Sequence, residues 1–508
     1  MRRRRLLLLA AVFVVAACGL VYELVAGAVS AYLVGDAVTQ YSLVIGVFMC
    51  AMGLGSWLAR FVTGDLLERL VQVELLLALV GGMSSLTTFA AGAWLTPWFS
   101  VVFYGQGVVI GALVGLEIPI LVRLLRAEGS LEGALSDALA LDYVGALVGA
   151  VAFPLVALPM LGLTRSSLAF GVLNALVAGG LATLLPRPRG ALAVVGGVLA
   201  LLLVALAGSN RAVRVVEDAL YQDRIVYTDQ SPYARLVVTR WRDDLRLYLD
   251  GHLQFSSVDE ARYHEALVVP ALAATRPARV LILGGGDGLA ARRVLTHPDV
   301  QQVDLVDLDP AVTRWARSWP GIVALNGGSL DDPRLTVHHT DAFRFLEGAD
   351  GQAWDVIVLD LPDPHSAALA KLYTTAFYAT VARRLAPRGV LVTQATSPFY
   401  APEAYWTIVA TLEAALPADH PAGPLEAQPY HIHVPSFGEW GFVLAGRGSI
   451  DASGLRPSIP TEVLDAESLG ALFVFDKALG ARPAVRPNTL DDPVLAELYS
   501  RGWRTWHD

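Results

Sequence analysis

The chain has 508 residues, of which 54% are hydrophobic and only 17% charged, with a formal net charge of −9. A soluble globular protein usually carries about 25% charged residues, so these figures exclude a wholly soluble, a disordered or a fibrous chain. The acidic balance leaves no basic face for nucleic acid, and the two cysteines, Cys18 and Cys50, lie in apolar segments and give neither a disulfide framework nor a zinc site.

The charge deficit is concentrated before residue 209. A bilayer-spanning helix needs about 20 mostly apolar residues. Seven segments qualify: 6–34, 41–63, 71–92, 98–122, 138–161, 166–185 and 190–207. Asp65, Glu68 and Arg69, then Arg123 to Asp137, then Arg187 and Arg189, stand in the links. Residues 2–5 are all arginine, so the positive-inside rule predicts a cytosolic N-terminus. The start resembles a signal peptide, and Val15-Ala16-Ala17-Cys18 resembles a lipoprotein cleavage box. The apolar run continues past Cys18 to Val34, however, which favours a retained helix. Glu23, Glu117 and Asp142 fall inside spans. Acids at that depth mark a binding site or pathway, or form interhelical hydrogen bonds in protonated form; both readings stay open. Residues 1–208 are thus read as a multi-pass domain of the cell membrane, in contact with the lipid bilayer. An odd count of crossings would put the rest of the chain outside.

Residues 209–258 read as a small β unit. The β-rich runs 224–228, 235–241 and 246–249 are separated by Asp229-Gln230-Ser231-Pro232 and Arg242-Asp243-Asp244. A helical stretch over 258–274 follows. From Arg279, the apolar runs 280–283, 302–306, 335–338, 354–359 and 389–393 alternate with helical patterns. That alternation predicts a Rossmann-like parallel sheet with helices on both faces over 259–445, with ligands at the carboxyl ends of the strands. Residues 446–508, rich in Pro and Arg, read as an extension packed on the domain with no site.

The strand ends carry the chemistry. Gly284-Gly285-Gly286-Asp287-Gly288 follows the first strand, Asp307 and Asp309 the second, Asp341-Ala342 the third, and Asp360-Leu361-Pro362-Asp363-Pro364 the fourth. A Gly-rich turn alone is a weak signal, and any single Asp could be a helix N-cap. Acids at every one of these ends, without a clustered Lys or Arg, argue against phosphate. They favour a nucleoside with a cationic partner.

Residues 221–445 resemble the polyamine aminopropyltransferases, the spermidine synthase family. The resemblance rests on Tyr221-Gln222-Asp223, on Leu249-Asp250-Gly251 with Gln254, on Asp259-Glu260-Ala261-Arg262-Tyr263-His264-Glu265 and on the strand-end motifs above. The whole chain resembles the membrane-attached branch of that family. The resemblance implies a class I methyltransferase-like fold, and transfer of an aminopropyl group from decarboxylated S-adenosylmethionine to an amine, usually putrescine, giving spermidine and methylthioadenosine. It also implies roles. Asp360 is the base toward the attacking nitrogen. Gln222, Asp307, Asp341 and Ala342, with Gly284 and Gly286, hold the nucleoside. His264 and Asp287 hold the aminopropyl amine, and Asp363, with Tyr263 and Gln254, the polyamine. No metal and no resident cofactor is implied; a homo-oligomer is. A cytosolic donor places the catalytic domain in the cytosol, against the odd count of spans.

The chain departs from the family pattern in two places. Asp307 stands where Glu is usual. In Pro435-Ser436-Phe437-Gly438-Glu439-Trp440-Gly441-Phe442 the tyrosine of a late Pro-x-Tyr segment is missing. Glu439 or His433 could replace that phenol or be structural, while Trp440 and Phe442 are expected in the core. His338, His339, His431 and His433 offer no third ligand nearby in sequence, so no metal site is expected. Two other functions compete. A methyltransferase would use intact S-adenosylmethionine, whose carboxylate Asp287 would repel. A polyamine transporter or sensor would use the intramembrane acids.

Overall fold

The computed structural model describes residues 2–34, 37–126, 130–221, 223–349, 351–416 and 423–507. Gln222 lies outside the described residues. The chain divides into two compact units, Met1–Ile225 and Val226–Asp508.

The first unit is helical, as an apolar chain must be where no water can satisfy its backbone. Its helices are α1 (Arg2–Val34), α2 (Ala37–Leu58), α3 (Leu66–Trp94), α4 (Phe99–Arg126), α5 (Leu131–Ala152), α6 (Leu158–Ala182) and α7 (Pro188–Tyr221). Among the described residues, six helical runs are long and apolar enough to cross a membrane, the fifth of which holds two of the seven expected segments. The fifth of these runs 51 residues, Glu132–Ala182, or about 76 Å at 1.5 Å per residue. That is more than twice the ~30 Å of a hydrocarbon core.

It is continuous only in name. A π turn over Phe153–Ala157, which contains Pro154, joins α5 to α6, and Gly162 breaks the helix at φ +74°. Neighbours show that the two arms run in opposite directions. On α5, Gly145 abuts Phe13 and Gly149 abuts Ala17, so α5 rises with α1. On α3, Gly81 abuts Tyr22 and Gly92 abuts Leu33, so α3 also rises with α1. On α6, Thr164 meets Ser85 and Asn174 meets Glu74, so α6 descends against α3. The fifth and sixth apolar segments of the sequence are therefore one helix folded back on itself.

Helix α7 continues well past residue 208, so the β unit starts at Arg224 rather than at 209. Near its end, the Tyr221 hydroxyl meets that of Tyr32, close to the end of α1, at 2.8 Å. At the other end of the bundle Arg5 pairs with Asp137 at 2.6 Å. The chain thus leaves the bundle at the end opposite Arg5. In a bundle that spans a bilayer, this arrangement puts Arg5 and Tyr221 at opposite faces.

The second unit starts with a four-stranded sheet in the order β1-β2-β3-β4: β1 (Arg224–Gln230), β2 (Arg235–Trp241), β3 (Asp244–Leu249) and β4 (His252–Ser256). Helix α8 (Glu260–Ala274) leads into β5 (Arg279–Gly284), α9 (Leu289–Leu295), β6 (Gln302–Asp307), α10 (Pro310–Ser318), α11 (Pro320–Asn326), β7 (Leu335–His339), α12 (Ala342–Gly348), β8 (Trp354–Asp360), β9 (Leu385–Gln394), β10 (Glu426–Val434) and β11 (Gly438–Gly446). The strands form a seven-stranded sheet in the order β10-β11-β9-β8-β5-β6-β7.

Strands β5 to β9 pair in parallel. The hairpin β10–β11, which follows the last of the apolar runs predicted as strands, adds antiparallel to β9. Pro429 lies in β10 at the sheet's edge, where its missing N–H costs no ladder bond. Alternate residues of β5 feed two cores: Val280 and Ile282 one, Leu281 and Leu283 the other, all 0% exposed. Each such side chain contributes about 1.5–3 kcal/mol by burial, and this clamps the sheet from both faces. The strand order flanks β5 with β6 on one side and β8 on the other. Their carboxyl ends are where such a sheet opens to a ligand.

Candidate active site

The turn after β5 is shaped by lack of side chains. Gly284 holds φ +85°, and a Cβ there would stand 2.0 Å from the Asp360 carbonyl. A Cβ on Gly286 would stand 2.4 Å from Asp307 Oδ2, the atom to which Gly286 N–H donates at 3.0 Å. Glycine is what lets the ends of β5, β6 and β8 come this close.

Asp287, Asp307, Asp360 and Asp363 are each partly exposed at these ends. Asp307 accepts from Gly286 N–H and Asp309 N–H. Asp287 accepts from Leu289 N–H at 2.8 Å. Asp360 Oδ1 accepts from the Tyr263 hydroxyl at 3.0 Å. Asp363 Oδ2 accepts from the Tyr499 hydroxyl at 3.0 Å, while its Oδ1 has no partner among the described residues.

Asp287, Asp307 and Asp360 lie in one electrostatic neighbourhood, and Asp363 shares Tyr263 and Tyr373 as neighbours with Asp360. Burial pushes Asp287 up to about 6, against the pull of His264 and with the push of Asp360. Burial also pushes Asp307 up to about 6, with Asp309 and Asp287 adding repulsion. Asp363 rises to about 7 through burial, although the Tyr499 hydrogen bond and the nearby Gln394 amide oppose the rise. Asp360 is raised by burial against the opposing effects of His264 and Tyr263. Carboxylates held in this state are short of positive charge, which a cationic ligand supplies.

Three consecutive residues of α8 point three ways, as a 3.6-residue turn requires. Tyr263 reaches Asp360. His264 Nδ1–H donates to Glu260 Oε2 at 3.0 Å. Burial pulls the imidazole pKa down, but Glu260, Asp360 and Asp287 outweigh it and the net is upward. Arg292 pairs with the same Glu260 at 2.6 Å. Glu265 turns away and accepts the backbone N–H groups of Glu462, Val463 and Leu464.

The remaining expected residues divide. Asp341 caps α12 through Phe343 and Arg344 N–H, and pairs with Lys371 at 3.0 Å. Burial would raise it, but Lys371 and the two amides hold it below the usual carboxylate range. Ala342 opens α12 beside it and is buried. The expectation that no Lys or Arg joins the strand-end acids is therefore corrected at one of them, where Lys371 reaches Asp341 from 30 positions away. Asp309 caps α10 and accepts from Ser231, a structural part. Gln254 lies on β4 and donates to the His252 carbonyl at 3.0 Å, not to a carboxylate. Glu439 pairs with His431 and His433 across the β10–β11 hairpin, and Trp440 and Phe442 are buried, as expected.

A family model described as the spermine/spermidine synthase domain matches residues 260–448. A polyamine aminopropyltransferase 2 of Ralstonia nicotianae is 45% identical, with 99% of each chain covered. A polyamine aminopropyltransferase 1 of Streptomyces coelicolor is 44% identical over 99% of this chain and 96% of its own. The chain belongs to the polyamine aminopropyltransferase family. The polyamine aminopropyltransferase of Mycobacterium tuberculosis (strain H37Rv) is 39% identical over 99% of this chain and 97% of its own. A solved spermidine synthase in complex with the transition state analogue AdoDATO is 25% identical, covering 51% of this chain and 88% of that one, with a TM-score of 0.45.

For an aminopropyltransferase, the residue that sequence reasoning missed is Tyr499. It stands on the last helix, Leu495–His507, in the extension assigned no site. It sets a phenol on Asp363 in a chain whose segment 435–442 lacks one. Its separation of 136 positions from Asp363 leaves no local sequence signal.

Proposed function

We propose that the chain transfers the aminopropyl group of decarboxylated S-adenosylmethionine to putrescine, releasing spermidine and methylthioadenosine. Both substrates are cations, a sulfonium bearing an ammonium and a diamine. The observation that carries this reading is the set of half-buried carboxyls Asp287, Asp307, Asp360 and Asp363, raised by burial and missing positive charge. Asp307 takes the ribose hydroxyls, Asp341 and Ala342 the base, and Gly284 and Gly286 leave room for the nucleoside. Asp287 and His264 hold the aminopropyl ammonium, with Glu260 fixing the His264 ring.

The amine nitrogen attacks the carbon next to sulfur, the C–S bond breaks with its electrons on sulfur, and the nitrogen sheds a proton toward Asp360. A free carboxylate near 4 is a weak base for an ammonium near 10. Burial of Asp360 narrows that gap, and the Tyr263 hydrogen bond fixes the carboxylate. Alignment of nitrogen, carbon and sulfur supplies most of the rate. Asp363 holds the far ammonium of the acceptor. The helical unit anchors the enzyme in the cell membrane with the catalytic unit on the cytosolic side, where the donor is made, and the enzyme works as a homo-oligomer.

Mass spectrometry of products from the purified chain, given the donor and a panel of diamines, tests this. Spermidine and methylthioadenosine are expected, with putrescine preferred. Transfer of a methyl group from intact S-adenosylmethionine instead would overturn the assignment of donor, and another preferred diamine would overturn that of acceptor.

A further inference from the structure

The membrane unit holds a polar constellation that the transfer reaction does not use. Tyr22 on α1, Glu74 on α3, Glu117 on α4 and Asn174 on α6 are each at most 1% exposed. Asn174 Nδ2 donates to Glu74 Oε2 at 3.3 Å, which turns the amide oxygen the other way. Tyr22 lies within electrostatic reach of both carboxyls, and Glu117 within reach of Glu74 and Asp142. Among the described residues, Glu74 Oε1, Glu117 Oε1, Asn174 Oδ1 and the Tyr22 hydroxyl have no hydrogen-bond partner.

The depth is consistent across three helices. Glu74 lies eight residues after the start of α3, Glu117 nine before the end of α4, and Asn174 eight before the end of α6. At 1.5 Å per residue that is about 12–14 Å from the same end of the bundle, close to the middle of a ~30 Å hydrocarbon layer. Polar atoms left unpaired there are costly. Glu74 sits within the third apolar segment, where sequence alone does not single it out, and Glu117 is one of the acids that sequence does.

We propose that these four side chains bind an alkylammonium group in the core of the membrane unit. An –NH₃⁺ presents three donors. They match the three unpartnered acceptor oxygens of Glu74, Glu117 and Asn174, and the charge offsets that of one carboxylate. The Tyr22 ring offers its face to the cation, and the apolar cluster packed round Tyr22 receives the methylene stem. The site is separate from the carboxyls of the catalytic unit and binds the same class of molecule, an aliphatic amine.

Binding of radiolabelled putrescine to the full chain in nanodiscs tests this by stoichiometry. The wild-type chain is expected to bind one more equivalent than the Glu74→Gln, Glu117→Gln double variant, while the variant keeps aminopropyl transfer within twofold. Asn174→Leu keeps the size of the side chain and removes one of the three acceptor oxygens. It is expected to weaken the extra equivalent about tenfold, the effect of one hydrogen bond to a charged group. Equal stoichiometry in wild type and double variant overturns the proposal. So does unchanged affinity of the extra equivalent in Asn174→Leu, which stands even where the double variant fails to fold.

Discussion

Asp363 keeps one carboxylate oxygen on the Tyr499 hydroxyl and the other without a partner. The hydrogen bond stabilises the ionised form, so it holds down a pKa that burial has already pushed up to about 7. The sign of its loss follows. In Tyr499→Phe the pKa of Asp363 rises further, and a larger share of the carboxyl is neutral at pH 7. A neutral carboxyl holds an ammonium poorly. The KM for the acceptor is expected to rise about fivefold to tenfold, as for one lost hydrogen bond, with the KM for the donor unchanged. The acid limb of acceptor kcat/KM should shift to higher pH. In the wild-type enzyme that limb is expected to fall as pH drops through about 7, because protonation would remove the charge proposed to bind the amine. A pH profile of the variant that overlays the wild-type one would separate Tyr499 from the acceptor. Asp360→Asn conserves shape but removes both the charge and the proton acceptor. It is expected to lower kcat by about 10²–10⁴-fold, the usual weight of general-base catalysis, in single-turnover measurements at saturating substrates.

Tyr499 depends on how the extension after β11 is moored. Glu265, 0% exposed on α8, accepts N–H groups from Glu462, Val463 and Leu464, with Arg293 at 3.4 Å. Glu265→Gln puts an amide donor against those backbone donors. The cost is expected to be about 2–3 kcal/mol, that of stranding a buried donor. Denaturant unfolding would measure it, and limited proteolysis would show earlier cleavage within 446–508. Because the same extension carries Tyr499, the KM for the acceptor should rise with it. Legibility in the sequence followed the same physics. Strands β5 to β9 could be read because parallel strands buried on both faces are plain apolar runs. The β10–β11 hairpin could not, since Pro429, Gly438 and Gly441 mimic loop composition. The last turns of α7 carry Arg211, Arg214, Glu217 and Asp218, and so read as soluble chain. The strand-end aspartates were legible as a set. Their partners Tyr499 and Lys371 were not, because only the fold brings them near.

At the scale of the whole molecule, the direction of the helices constrains topology more than their number does. Helices α1, α3, α5 and α7 rise together, and the chain leaves the bundle at the end opposite Arg5. The arginines of the links, Arg60, Arg69, Arg123, Arg126, Arg187 and Arg189, all fall at the Arg5 end. By charge alone that end belongs in the cytosol. The catalytic unit asks for the reverse, since an enzyme must stand where its donor is made. Charge bias is a statistical preference, and supply of substrate is a condition of turnover. The expected arrangement therefore has the N-terminus outside and the catalytic unit inside. Reporters fused to each terminus of the full chain, one active only in the cytosol and one only outside it, read this directly. The two termini are expected on opposite sides, with the C-terminus cytosolic. Both termini on one side would contradict the packing of α7 alongside α3. Opposite sides with an external C-terminus would keep that packing and remove the cytosolic placement, so that the decarboxylated nucleoside would have to cross the bilayer to be used.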